Sequence, residues 1–213
     1  MPKPKKPKQN PQRKISVPPP PFDMAKQAYM GSQVAFRRPA CVIMLGAIAV
    51  EWSLVEALLS SQFAAMIFNG RNWSDGGEAI TQEAFEQSRS VRQKRALLMI
   101  ASRRRFARDL VDRYDTMLND VQDAGEKRGK VLHGYWGLND SEPQKMIWRQ
   151  SIWKFEESVL YGPDELKAIL DEITRASSAL NELFFKEMRP LLVAASEAQV
   201  KNLLAFEEMK KGG

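Results

Sequence analysis

Apolar side chains recur at intervals of three and four residues over most of this chain, which is the spacing of amphipathic helices. A first long helix is predicted over Cys41–Phe68. A second is predicted from Ala79 to about Ser102, with a break near Ser88–Ser90. A third should end near Gly134, because glycine commonly stops a helix. The apolar stripe of the third helix consists of Phe106, Leu110, Tyr114, Met117, Val121 and Ala124.

The pattern changes after the third helix and then becomes helical again. Short apolar and aromatic runs between Met146 and Tyr161 predict a small β-hairpin. The segment Gly162-Pro163-Asp164 is a helix-start signal, and a fourth helix is predicted from there to about Arg189. Pro190 should kink or end that helix. A last helix is predicted over Leu191–Lys211.

These elements predict an all-α fold class, a helical bundle of about four to five main helices with a small β-hairpin insertion near 145–161. Residues 1–22 hold six of the 32 basic residues, no acidic residue and eight of the twelve prolines. Such a segment cannot bury apolar surface, so 1–22 should be a disordered, basic, proline-rich tail. Residues 23–213 should form a single helical domain.

The net charge of +6 comes entirely from this tail. Without it, 26 basic residues face 26 acidic ones, so the rest of the chain is formally neutral. The tail therefore either contacts phosphates nonspecifically or is a solubilising extension.

Composition limits the classes of protein and the kinds of site that this chain can form. With 213 residues, 44% of them apolar, the chain can bury a core. One cysteine excludes an intrachain disulfide and a cysteine-based zinc site, and one histidine argues against a histidine metal site, so no cofactor is predicted. The longest apolar run, Ala40–Val50, is too short to cross a bilayer and fits a buried helix. No signal-peptide pattern opens the chain, so a cytoplasmic protein without membrane contact is expected.

Arg128 continues the apolar stripe of the third helix, five positions before His133, the only histidine. No carboxylate lies three or four residues away from this arginine, so no local helical ion pair can satisfy it. Another helix, a partner chain or a ligand must then supply an anion. On an ideal helix, Arg128 and His133 lie roughly 140° apart. They can meet one ligand only if the helix ends or distorts there, or if a second chain closes the site.

This arrangement resembles the Arg-x(4–6)-His signature of HEPN domains. The upstream segment W-S-L-V-E-A-L-L, Trp52–Leu59, is similar to the first helix of such domains, including its acidic residue. The resemblance covers roughly Ala40–Leu138, with a less specific helical continuation to about Met188. It implies a HEPN-like core at about 40–188, followed by a C-terminal helix at 190–211. The position after the arginine, often a polar residue in active members, is Gly129 here.

The resemblance implies a metal-independent RNA endonuclease that works as a homodimer, with a toxin or defence role and an antitoxin as a potential partner. The implied catalytic residues are Arg128, His133 and Glu56. Glu51 is the second candidate for the acidic position. The alternatives for these carboxylates are a buried structural ion pair or a solvated helix face.

A basic stretch between residues 89 and 113 is opposed only by Asp109 and Asp112. It could follow an RNA backbone, or it could be an ordinary solvated corner between two helices. The candidate RNA-binding residues are Arg103, Arg104, Arg105 and Lys130.

Two function classes remain open. In the first, His133 removes a 2′-OH proton and Arg128 holds the phosphate of single-stranded RNA, and a dimer supplies the second histidine. In the second, the bundle is a non-catalytic binding or assembly module, Arg128 and Glu56 form a buried pair, and His133 is a capping residue.

Overall fold

The computed structural model describes residues 32–68, 77–88, 90–138, 142–151 and 158–211. The predicted tail at 1–22 lies outside these residues. The described helices are α1 (Ser32–Arg37), α2 (Pro39–Phe68), α3 (Gly77–Glu86), α4 (Val91–Arg103), α5 (Arg108–Leu132), α6 (Pro163–Leu183) and α7 (Arg189–Lys211). The strands are β1 (Tyr135–Leu138), β2 (Met146–Arg149) and β3 (Val159–Tyr161). The predicted all-α fold with a small β insertion is confirmed.

Helix α2 is the centre of the bundle and contacts α3, α4, α5 and α6. Its buried positions recur every three or four residues, as expected for a helix that packs on one side. They include Cys41, Ile48, Trp52, Val55, Leu59, Gln62 and Met66. On the opposite side, Ile43, Val50 and Leu54 are 64%, 65% and 61% exposed. The prediction that Ala40–Val50 is a buried helix is therefore wrong for the side of α2 that carries Ile43 and Val50, because no described element covers that side.

The predicted break in the second helix is confirmed, and Ser90 is the reason that a new helix starts there. Its hydroxyl oxygen accepts a hydrogen bond from the backbone N–H of Gln93 at 3.2 Å, and the Gln93 side chain accepts one from the Ser90 N–H at 3.3 Å. This capping box satisfies two N–H groups that have no partner inside the helix. The chain is therefore divided into α3 and α4 at this point.

Helix α5 runs antiparallel to residues 163–188, which are α6 and the helical turn that follows it, as two ion pairs show. Near the start of α5, Arg113 binds Glu187, and near its end, Lys127 binds Glu172, each at 2.6 Å. Helix α2 begins beside the strands, because Arg38 donates a hydrogen bond to the carbonyl of Lys145 at 3.2 Å. We call the end of the bundle with β1–β3 and the C-terminus of α5 the sheet end. The end where α7 leaves the bundle is the tail end.

The sheet has three antiparallel strands in the order β1-β2-β3, with Trp136 opposite Trp148 and Met146 opposite Tyr161. The predicted hairpin corresponds to β2 and β3. Strand β1 was not predicted, because its four residues directly follow a helix end and are too short to show an alternating pattern. Trp136 and Trp148, which are 4% and 5% exposed, belong to the core.

The C-terminal region is one long helical segment. Helix α6 continues into a single π-helical turn at Phe184–Met188 and then into α7. The N–H of Arg189 donates to the carbonyl of Phe184, five residues earlier. This wider turn immediately precedes Pro190, whose ring would clash with a regular α-helical turn. Pro190 therefore marks a local change of helix type and does not end the segment.

Candidate functional site

Arg128 lies in the last turns of α5, at the sheet end, and is half-buried. Its guanidinium carbon is 5.7 Å from the centre of the Trp52 ring on α2, a cation–π distance. Its Nε is buried without a hydrogen-bond partner. Within the described residues, no carboxylate lies within 4 Å of this guanidinium group.

Gly125 allows Trp52 to reach this position. A Cβ atom on Gly125 would be only 2.5 Å from Cη2 of Trp52, and Trp52 itself is 2% exposed. The indole therefore packs on the bare backbone of α5, one turn before Arg128. The sequence analysis placed Trp52 in the helix segment Trp52–Leu59 but did not connect it with Gly125. A glycine three residues before an unpaired arginine on the same helix face was the available signal.

His133 is the C-cap residue of α5. Its backbone N–H donates to the carbonyl of Gly129 at 3.1 Å, so regular helical geometry continues up to this residue. Its imidazole is exposed. It makes no hydrogen bond or ion pair within the part of the chain that the structure describes. The imidazole is therefore open to solvent and to a ligand.

The turn after His133 is held by two tryptophans of the sheet. The Trp136 indole N–H donates to the Val131 carbonyl at 3.1 Å. A Cβ atom on Gly134 would be 1.7 Å from Nε1 of Trp148, so only glycine fits there. The ammonium group of Lys130 is 5.7 Å from the Trp148 ring. The sheet thus fixes the helix end that presents His133 and Lys130.

Arg128 and His133 do not share one face of α5. Because the helix is regular to its C-cap, the roughly 140° separation expected for five residues persists. Arg128 lies against Trp52, whereas the imidazole of His133 is open to solvent. One chain therefore places both groups at the sheet end without directing them to a common point.

Glu56 lies against Lys94 of α4 and not against Arg128. The ion pair measures 3.4 Å, and the side chains of Lys94 and Glu56 are 8% and 45% exposed. Lys94 also lies 5.9 Å from the Phe85 ring centre. The expected pairing of Glu56 with Arg128 is therefore corrected, because a nearly buried ammonium group of α4 occupies the carboxylate. Glu51, the second candidate, has no ion pair in the described ranges.

The candidate RNA-binding residues fall into two separate places. Lys130 is exposed near His133 at the sheet end. Arg103, the last residue of α4, and Arg104 and Arg105, which follow it, are exposed at the tail end. There Arg105 donates to the Ile67 carbonyl at 3.1 Å. The intervening helix α5 has 25 residues. At 1.5 Å per residue it is about 37 Å long, so these two groups do not form one patch.

Comparisons with known proteins add no identification: no protein family model, no curated protein and no solved structure matches this chain. In the described ranges, one helix, α2, is long and apolar enough to cross a membrane by length and composition. Core helices of soluble proteins meet the same criterion.

The side chains at the sheet end are suited to binding an anion and to transferring a proton. They offer one guanidinium group that lies against an aromatic ring and has no carboxylate within 4 Å among the described residues, and one exposed imidazole with a lysine nearby. A guanidinium group of this kind suits a phosphate or carboxylate ligand. An imidazole can exchange a proton with a bound ligand near neutral pH.

Proposed function

We propose that this chain is a HEPN-like, metal-independent endoribonuclease that cuts single-stranded RNA at its sheet end. The observation that carries the proposal is the half-buried Arg128, held on Trp52 with its Nε unpaired and no carboxylate near it in the described chain. A cation in such a place costs free energy unless an anion binds it. A phosphodiester supplies that anion.

The reaction follows from the two side chains. His133 takes the proton of a ribose 2′-OH, and the 2′ oxygen attacks the adjacent phosphorus. The bond from phosphorus to the 5′ oxygen breaks, and that oxygen takes up a proton as it leaves. The products are a 2′,3′-cyclic phosphate and a 5′-hydroxyl end. Arg128 holds the phosphate and stabilises the negative charge that develops on it.

The leaving oxygen needs a proton donor, and each chain has a single histidine. A two-fold pair of chains joined at the sheet end would bring two Arg128–His133 sets to one cleft. In one chain the arginine and the histidine face different directions. The pairing would bring the arginine of one copy and the histidine of the other to the same cleft. Lys130 would contact a neighbouring phosphate of the strand.

We place this activity in a toxin or defence setting, in which an antitoxin would restrain the cleft. The role of Glu56 changes within the proposal. Since its carboxylate binds Lys94, it supports the packing of α2 against α4.

A second candidate function is a non-catalytic binding or assembly module. The observation that favours it is the separation of Arg128 and His133 on a regular helix. In that case Arg128 would bind a phosphate or carboxylate of a partner, and His133 would only cap α5.

A cleavage assay separates the two candidates. Wild type, His133→Ala and Arg128→Ala are incubated with end-labelled single-stranded RNA in EDTA. Arg108→Ala, an exposed arginine at the other end of α5, is the charge-matched control. We expect cutting by wild type and the control, and a loss of at least about 100-fold in both site variants. Cutting by His133→Ala at the wild-type rate would contradict the proposal, and no cutting by any protein would favour the binding module.

A further inference from the structure

The N-terminal part of the chain joins the bundle at the sheet end. Helix α1 contacts α2 and β1, and β1 begins two residues after His133. Val34 of α1 is 5% exposed, so α1 is anchored in the core. Ten residue steps lead from residue 22 to Ser32 and span at most about 35 Å. Helix α2, with 30 residues, is about 45 Å long. The chain before α1 therefore arrives beside the candidate site and not at the tail end.

The lysines of the bundle near this entry point already have carboxylate partners. Three ion pairs show this: Lys127 with Glu172, Lys145 with Glu165 and Lys167 with Asp171. Their charges are compensated locally, so they add little attraction for a second anion. Beside His133, Lys130 is an exposed cation without an ion pair among the described residues.

The exposed face of α5 that leads away from Lys130 is acidic. Asp120, Asp123 and Glu126 are exposed, and at 100° per residue they lie within about 80° of Lys130 around the helix. None of the three forms an ion pair within the part of the chain that the structure describes. A phosphate backbone that follows α5 from His133 would therefore be repelled by three carboxylates.

The positive charge that the bundle lacks is concentrated in the N-terminal tail, residues 1–22. This segment holds six basic residues and no acidic one, whereas the rest of the chain has 26 of each. The six are Lys3, Lys5, Lys6, Lys8, Arg13 and Lys14. Contacts between cations and phosphates release counterions, and for single strands the slope of log K against log salt is about −0.7 per contact. Six contacts would give a slope of about −4.

We infer that the N-terminal tail binds the phosphate backbone of the RNA strand held at the sheet end. The tail supplies most of the affinity for RNA, and Arg128 and His133 act on the strand that it holds. The choice of RNA as the polyanion rests on the proposed function. Contacts to phosphates carry no sequence information, so the tail holds the strand without selecting a sequence.

Binding is measured with the full chain and a fluorescently labelled 2′-O-methyl RNA, which cannot be cut because its 2′ oxygen is blocked. The tail triple combines Lys5→Gln, Lys6→Gln and Lys8→Gln. At about 0.1 M salt it should bind roughly 10- to 100-fold more weakly than wild type. The slope of log K against log salt should fall in magnitude by about 2.

A control triple with the same change of charge combines Arg108→Gln, Lys201→Gln and Lys210→Gln. These exposed side chains lie at the start of α5 and on α7, away from the sheet end. Its affinity should stay within about 2-fold of wild type, because salt screens charges beyond a Debye length. Equal losses in the two triples would show an effect of net charge alone and would overturn the inference. So would wild-type affinity in the tail triple.

Cleavage of unmodified RNA separates this inference from the proposed function. If tail and site hold one strand, the tail triple should raise KM by the same factor as Kd. An unchanged KM beside a raised Kd would place the tail contacts elsewhere and overturn the inference, while ribonuclease activity would stand. Conversely, tail-dependent binding by a protein that cuts no RNA would refute the proposed activity alone. A tail triple that binds RNA like wild type but loses binding to anionic lipid vesicles would identify a membrane surface as the partner and overturn the inference.

Discussion

At the scale of single residues, the candidate site depends on Gly125 and Trp52, because the Trp52 ring packs on the backbone at Gly125 and lies against Arg128. The absence of a local helical ion pair at Arg128 could be predicted from sequence, because partners three and four residues away can be read from spacing alone. The contact with Trp52 could not be predicted, because the two residues lie on different helices and their packing depends on the fold. The same limit explains Glu56, whose partner Lys94 lies on a third helix.

Two glycines of α5 give opposite predictions for the same substitution. Gly125→Ala should destabilise the fold by about 1–3 kcal/mol, because the added methyl group meets the rigid, buried Trp52 ring. Gly129→Ala should stabilise it by up to about 1 kcal/mol, because no atom beyond its chain neighbours and the local helix backbone lies within 4 Å of its Cβ position, and alanine favours the helix. Urea unfolding of wild type and of each variant measures both changes in the free energy of unfolding. Equal effects at the two sites would show that Trp52 does not pack as described.

Arg128 should be dispensable for stability. Arg128→Met keeps the packing on Trp52 and removes a half-buried cation with an unpaired Nε. The free energy of unfolding should stay within about 1 kcal/mol of wild type or rise, and RNA binding should weaken. A loss of about 3 kcal/mol or more would instead identify Arg128 as a structural residue.

At the scale of elements, the long helices and the break at Ser90 follow from periodicity and capping signals, which are local. The sheet was predicted only in part. Strand β1 pairs with β2 across a turn, and a strand of four residues shows no pattern until its partner is known. The continuation of α6 into α7 depends on a π turn before Pro190, which no sequence pattern specifies.

The start of α6 should be sensitive to acid. The ammonium group of Lys145, 3.0 Å away, and the backbone N–H of Gly162 lower the pKa of the Glu165 carboxyl below its ordinary value. A lowered pKa in the folded state adds stability above the unfolded pKa of about 4.3, and this stability is lost as the pH falls through the folded value. Glu165→Gln should therefore lower stability at neutral pH and reduce the loss on going to about pH 3.

Urea unfolding at the two pH values provides the measurement for this prediction. Glu208→Gln serves as the control, because Glu208 is exposed and forms no ion pair among the described residues. A Glu165→Gln variant with the full wild-type loss of stability in acid would show that the contact with Lys145 contributes nothing.

At the scale of the whole molecule, the two ends of the bundle have different chemistry. The sheet end presents the unpaired arginine and the exposed imidazole, and the tail end presents Arg103–Arg105 and the projecting α7. Sequence reasoning grouped the basic residues together, because it could not show that α5 separates Lys130 from the three arginines by its whole length. The fold class could be predicted from the sequence. The separation of Lys130 from the three arginines could not, because it depends on the direction in which each helix runs.

The most direct measurement of the central claim uses a DNA strand that carries a single ribonucleotide. Incubated with this protein in EDTA, it should be cut only after the ribonucleotide, leaving a 2′,3′-cyclic phosphate and a 5′-hydroxyl end, because the 2′-OH is the nucleophile. The all-DNA strand should remain intact. Cutting of the all-DNA strand, or a 5′-phosphate end, would contradict the assignment of His133 and Arg128.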